Sequence, residues 1–566
     1  MSPLGSAYRP AGSLSVGQAF LLLWVVALAL LPGQWSMPVT DRDEARYSQA
    51  ATQMMETGDY VDIRFQDKPR YVKPAGIYWM QVASSQPFGG EDAPIGAFRI
   101  PSFFGILIIS LGTALIGARI MGGTYGAIAG GIFGLCLLAG AEGRIAKTDA
   151  MLVAAGTLAQ LALFNILVQP KGSPPRLFRT WPFLFWFASG LAVLIKGPIF
   201  TIFSVGTIII YVLATRDWRA LRRLRPLVGL VVFAVVGLTW AALITYQTDG
   251  EFLRESVGHA LLGKVAEGDD AHGGPPGYHL IATLLMFWPG TIFLGLGVMA
   301  AVRRIKDPAV IFLLGWLVPG WIIFEAVATK LPHYVMPAYP ALALLCALGI
   351  KDAVSGVRSG IANGVGLVLF ALGTVALPIL AYVGITDMDG DPFAPWTIAM
   401  AGTLVLTLII GLWALRKPSL SGAATVALPV VLFYAVFAEA ALPRLQVMWP
   451  SNSIWQVASR IQGCDDLRFA TAGNREPSNV FYLGTDTILG DGAEAAALLR
   501  TNAACGVAIV DRREREAFDA ALGGIPVREL AVVKGTNVSK GRALEMSVLV
   551  RADSPLRIGK GELRRL

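Results

Sequence analysis

Charged side chains are scarce in this 566-residue chain: Asp, Glu, Lys and Arg make up 15% of it, against about 25% in ordinary globular proteins. With 54% apolar residues and a mean hydropathy of +0.58, that shortage excludes a string of soluble domains, a disordered chain and a coiled coil. It defines a polytopic membrane protein. Cysteine is equally sparse, at four residues, which excludes a disulfide-stapled mini-protein. The four histidines, His259, His272, His279 and His333, show no tight His-x-x-x-His or acid-rich spacing, so no dedicated metal site is assigned. Internal repeats and low-complexity segments are absent. The net charge of +8 forms no single basic patch, so no nucleic-acid partner is expected.

What the chain does have is long apolar sequence. Segments near 18–35, 98–118, 124–141, 149–168, 181–196, 198–214, 226–246, 279–302, 308–326, 334–350, 360–384, 394–415 and 421–441 can each cross about 30 Å of hydrocarbon as helix. The first has no small-residue cleavage site after it and reads as a retained helix. Basic residues fall in alternate short loops: Arg119; Lys171, Arg176 and Arg179; Arg216, Arg219, Arg222, Arg223 and Arg225; Arg303, Arg304 and Lys306; Lys351 and Arg358; Arg416 and Lys417. Those loops are expected to be cytoplasmic, together with the N-terminus. The first outer loop, 36–97, is expected to hold interfacial helices. The fold class expected is therefore an α-helical membrane domain of about thirteen spans over 1–449.

An outer domain should follow over 450–566. There the apolar runs shorten to strand length at Leu467–Gly473, Val480–Gly484, Gly506–Asp511, Val527–Val533 and Leu544–Val550, with helical stretches near 453–462, 493–502 and 512–522. This predicts a small α/β domain. An oxidising compartment permits a Cys464–Cys505 disulfide, although sequence alone leaves their approach open. Cys136 and Cys346 read as packing residues inside spans.

Polar residues that orientation does not explain gather on the outer face. They are Asp41-Arg42-Asp43-Glu44-Ala45-Arg46-Tyr47; Lys68-Pro69-Arg70-Tyr71-Val72-Lys73-Pro74, leading to Tyr78-Trp79; Lys147-Thr148-Asp149; Lys196-Gly197-Pro198; His259, Lys264 and His272; and Lys330-Leu331-Pro332-His333-Tyr334. Each has a bland reading. Asp43 and Glu44 suit the first turn of an amphipathic interfacial helix over 43–57, Thr148 and Asp149 suit an N-cap, and Lys73 and Lys196 suit snorkelling anchors. Yet a lysine at the end of an apolar run and directly before Gly-Pro more often lines a site than sits idle. Together, carboxylates and cations on one face suit a base, an orienter and a phosphate pocket for a lipid-linked donor.

In this order and on this face, the motifs resemble the GT-C glycosyltransferases of the bacterial aminoarabinose-transferase and protein O-mannosyltransferase superfamily. Arg475-Glu476-Pro477-Ser478 and Phe481-Tyr482-Leu483-Gly484 resemble a segment typical of the aminoarabinose branch. The resemblance implies inverting transfer from a polyprenyl-phosphate sugar to an envelope lipid acceptor at the periplasmic face of the inner membrane. By analogy Asp43 is the catalytic carboxylate, with Asp149 and Glu44 beside it. Arg46, Lys73, Lys196, Lys330 and Tyr334 would bind the donor phosphate, and Tyr71, Tyr78, His272 and His333 would line the substrate pocket. Many members carry Glu-Lys-Pro-Pro where this chain has Val72-Lys73-Pro74-Ala75; Val72 ligates nothing, so no cofactor is assigned and a divalent-metal requirement is left open.

Transfer of aminoarabinose to lipid A would lower surface negative charge and weaken binding of cationic peptides such as polymyxin. The competing enzyme reading is protein O-mannosylation on Ser or Thr. A polyprenyl-sugar flippase would need polar groups at mid-membrane and two related halves, and the sequence shows neither.

Overall fold

The computed structural model describes residues 11–169, 177–254, 274–387, 394–416, 420–538 and 540–559. It is mostly helical, with a sheet confined to the C-terminal part apart from two short hairpin strands in the first loop. Among the described residues, eight helices are long and apolar enough to cross a membrane, including Ile95–Met121, Asp149–Leu167, Pro308–Ala326 and Pro332–Val354. Tyr278–Met286 and Gly290–Arg303 form a ninth crossing if counted as one span, bent by 111°. Val16–Leu30, Thr180–Lys196 and Ile199–Thr215 are shorter apolar helices.

The expected span at 124–141 is broken. Helix Gly123–Gly134 stops, Cys136 is extended, and Leu137–Glu142 starts anew. The Leu137 amide donates to the Trp288 carbonyl at 2.8 Å instead of continuing the first helix. Among the described residues, length and composition give eight or nine crossings beside the three shorter apolar helices, so the count of thirteen is not confirmed.

The first loop contains helix Asp43–Thr57, which has two acids in its first turn and ends at Gly58 in the left-handed region. It was expected to lie on a membrane surface. It is covered on several sides, with ten of its residues buried, between the helical body and the C-terminal domain.

That domain carries a five-stranded sheet in the order Ile488–Gly490, Arg468–Ala472, Gly506–Asp511, Arg542–Arg551, Val527–Asn537. The first three strands are parallel and the last two antiparallel to their neighbours. Helices Gly492–Thr501 and Arg515–Leu522 cover one face with Ala495, Leu499, Phe518 and Leu522. Cys464 and Cys505 are joined, with Cα atoms 5.7 Å apart. One expected strand is corrected: Val480–Gly484 lies in helix Pro477–Leu483. Pro477 enters at the first helical turn after an extended Glu476, and Val480 and Leu483 are buried at helical spacing.

Candidate active site

The turn that carries Asp43 is anchored from below by a buried knot. Arg99, fully buried in helix Ile95–Met121, donates to both Glu44 oxygens at 2.7 and 2.9 Å. It also donates to the carbonyls of Met37 and Pro38 at 2.8 and 2.9 Å. Glu44 in turn accepts the Thr40 and Ala146 amides, each at 2.8 Å. Burial raises the Glu44 pKa, but the Arg99 charge and these hydrogen bonds overcome it and leave the carboxyl below its ordinary value. This corrects the expectation of a catalytic Glu44. The side chain has no exposed surface, and its oxygens bind the first loop to the 143–148 turn.

Beyond that turn five ionisable side chains converge. Helix Leu177–Lys196 ends because Gly197, at φ +77°, takes the left-handed conformation and Pro198 follows. Lys196 is thus the last helical residue, and its Nζ lies 2.6 Å from Asp149 Oδ1. Asp149 opens helix Asp149–Leu167, and Thr148 makes no side-chain cap there, so the capping reading of this pair fails. Lys147 Nζ lies 2.8 Å from Glu142 Oε1 and 3.9 Å from Asp149 Oδ2. The His333 ring sits between the two acids, with Nδ1 4.0 Å from Glu142 and Nε2 4.0 Å from Asp149. Burial alone would lower the Lys147 pKa, but the Glu142 and Asp149 charges raise it above its ordinary value.

Asp43, the first residue of its helix, is exposed. Its charge acts on Arg46, Arg70 and Lys147, and the buried Tyr47 feels both Asp43 and Asp149. The Arg70 guanidinium stacks over the Tyr47 ring at 5.1 Å and donates from Nε to the Tyr78 hydroxyl at 3.2 Å. Burial and the neighbouring Arg70 charge pull the Arg46 pKa below its ordinary value. Neither arginine forms an ion pair among the described residues. Two partly desolvated cations beside an exposed carboxylate suit a phosphate.

The remaining expected residues divide. Lys73 is half-buried on the loop from Arg70 to helix Gly76–Ser85. That helix packs closely on the Lys196 helix, since a Cβ at Gly76 would lie 2.7 Å from the Leu194 carbonyl. Lys330 is buried and donates to the Gly274 carbonyl at 3.0 Å, while Tyr334 packs against His333 and Phe324. Tyr71 is turned away, donating to Asp62 at 2.9 Å and packing edge-on against Phe252. Lys196, expected at the donor phosphate, has its ammonium 2.6 Å from Asp149. His272, with His259 and Lys264, lies outside the described residues. Arg70, Glu142 and Lys147 were given no role from sequence; the signal was an acid at the end of an apolar run and a lysine two residues before Asp149.

Among the described residues no group of three or more His, Cys, Asp or Glu side chains is arranged to hold a metal ion. Val72 is 44% exposed, and its side chain offers no ligand.

The C-terminal domain packs on the loop that carries Asp43. Ser478 Oγ donates to the Asp41 carboxylate, Tyr482 Oη accepts the Val39 amide at 3.0 Å, and Gln66 donates to the Thr485 and Thr487 carbonyls at 2.9 and 2.6 Å. Burial pushes the Asp41 carboxyl up to about 6 against the lowering effect of Ser478. A carboxyl raised above its unfolded value favours the protonated fold, so this contribution is present below about pH 4 and is lost as pH rises through 6. Relative to Asp41→Asn, the protein is expected to lose on the order of 1 kcal/mol between those limits. Thermal melts of the two proteins at pH 4.5 and 7 measure the difference.

Fold and site together define a multi-pass membrane protein with an acid–cation centre under an extramembrane α/β cap. The family model for dolichyl-phosphate-mannose-protein mannosyltransferase matches residues 18–254. An undecaprenyl phosphate-alpha-4-amino-4-deoxy-L-arabinose arabinosyl transferase of Enterobacter sp. is 26% identical over 382 residues, covering 67% of this chain and 65% of that protein. The match thus spans just under two thirds of that relative. The Shewanella sediminis protein of the same name is 26% identical over 443 residues, 76% of each chain. The crystal structure of ArnT from Cupriavidus metallidurans bound to undecaprenyl phosphate superposes with a TM-score of 0.74 at 19% identity, covering 95% of this chain and 98% of that one. The chain is thus similar in sequence to these transferases and shares the fold of the ArnT crystal structure.

Proposed function

We propose that the protein is an inverting glycosyltransferase that moves a sugar from a polyprenyl-phosphate donor to a cell-envelope lipid, of the lipid A class, at the periplasmic face of the bacterial inner membrane. The observation that carries this reading is the pairing of an exposed Asp43 with Arg46 and Arg70, beside the Asp149–Lys196–His333 centre. Asp43 takes the proton of the acceptor group as that oxygen attacks the anomeric carbon. The carbon–oxygen bond to the phosphate breaks on the opposite face, and the polyprenyl phosphate leaves with the electron pair. Arg46 and Arg70, with Lys73, stabilise the charge that develops on the leaving phosphate. Asp149 is neutralised by Lys196 and Lys147, so it orients groups rather than accepting a proton.

Protein O-mannosylation is the second reading, favoured by the name of the family model that matches the N-terminal part. The likeness of fold along the whole chain, cap included, supports the lipid branch. The test is to incubate purified protein with radiolabelled undecaprenyl-phosphate aminoarabinose, or a polyprenyl-phosphate mannose, and either lipid A or a Ser/Thr-rich peptide. Label on lipid A is expected. Label on the peptide alone would move the protein to the O-mannosylation branch.

A further inference from the structure

Asp43 follows an unusual piece of backbone. Arg42 has φ +64° and ψ −99°, a combination that costs a non-glycine residue about 1–3 kcal/mol and persists only where the surroundings over-determine it. Its neighbours are both held. Glu44, two residues on, is locked from the membrane side by Arg99. Asp41, one residue back, is locked from the outside by Ser478, which donates from its hydroxyl and its backbone amide. Ser478 is itself buried, with its hydroxyl 2.6 Å from Ser451 Oγ. Two residues before Asp41, the Val39 amide is held by Tyr482. The same cap segment brings the buried Glu476 close enough for its charge to act on Arg46, while Asn537 holds that carboxylate at 2.7 Å. The motif 475–484, which the proposed chemistry leaves unused, is therefore the face of the cap that grips the approach to Asp43.

We infer that the C-terminal domain is part of the catalytic apparatus: through the Ser478–Asp41 contact it holds the strained turn at Arg42 that presents Asp43, which makes Ser478 a positioning residue. The inference rests on the reading of Asp43 as the base. Without the contact, Arg42 relaxes toward an ordinary backbone conformation and the first turn of helix Asp43–Thr57 rotates its carboxylate out of line. Substrate binding, which rests on Arg46, Arg70 and Lys73, changes less than the chemical step does.

The experiment compares full-length Ser478→Ala, Ser478→Thr and Asp43→Asn in the radiolabel assay, with undecaprenyl-phosphate aminoarabinose and lipid A. Ser478→Ala is expected to lower kcat about tenfold with donor KM within about twofold, because one orienting hydrogen bond is lost while the phosphate cations stay. Ser478→Thr, which keeps the hydroxyl, should restore most of the rate. If Ser478→Ala does not fold, Tyr482→Phe removes the hydroxyl that holds Val39, keeps the ring, and should give the same kcat-specific loss. Full kcat in the folded variant, or loss in Ser478→Ala that Ser478→Thr does not restore, overturns the inference. If Asp43→Asn turns over at the normal rate, the reading beneath it fails instead.

Discussion

Asp43→Asn is expected to lower transfer about 10²–10⁴-fold, the usual contribution of a positioned general base, while the protein still folds, inserts and binds undecaprenyl phosphate. The amide keeps the volume of the side chain but takes up no proton. Asp43 is exposed at the start of its helix, so the change costs little packing. The neighbouring substitution separates this role from a structural one. Glu44→Gln leaves Arg99 buried without its counter-ion, a loss of about 3–5 kcal/mol, and should appear as low folded yield rather than slow chemistry. Steady-state rates set beside the melting temperature of each variant check both halves. Asp43→Asn with unchanged turnover would remove Asp43 from the mechanism.

The two adjacent acids show where sequence reading reaches its limit. Their place in the loop that follows the first apolar helix was legible, because apolar length marks the helices. Their division of labour was not, since it depends on Arg99, 55 residues away from Glu44 along the chain, and nothing local announces that contact. The same applies to Lys196. Its position at the end of an apolar run signalled function, but its partner Asp149 is 47 residues away, and a lysine facing a phosphate looks identical in sequence to one facing a carboxylate. Local signals also misled. Val480–Gly484 has the apolar content of a short strand, yet Pro477 and the cap's need to seat Phe481 against Phe98 make it a helix. The run at 124–141 is long enough to span, but tertiary hydrogen bonding at Leu137 divides it and turns Glu142 toward Lys147.

The pairing of Lys196 with Asp149 yields the other large effect. Lys196→Ala removes the nearest counter-ion from a buried carboxylate, leaving Lys147 at 3.9 Å and the His333 ring at 4.0 Å. Removing one partner of a buried pair costs about 3–5 kcal/mol, more than the pair contributes when intact. Lys196→Ala is therefore expected to reduce both folded yield and transfer, by at least about tenfold in kcat/KM. Asp149→Asn in the same chain removes the orphaned charge, so the double variant should fold better than Lys196→Ala alone. A double-mutant cycle on melting temperature reads that coupling, and neighbouring sites of this kind interact by about 0.5–3 kcal/mol. A lysine acting on the donor phosphate would give another pattern: Lys196→Ala would raise donor KM at unchanged stability, and Asp149→Asn would not compensate. Stability restored by the second substitution while turnover stays low would mean that the ion pair is needed for both purposes. The pair links the ends of helices Leu177–Lys196 and Asp149–Leu167, and Asp149 in turn stands beside His333 and Lys147.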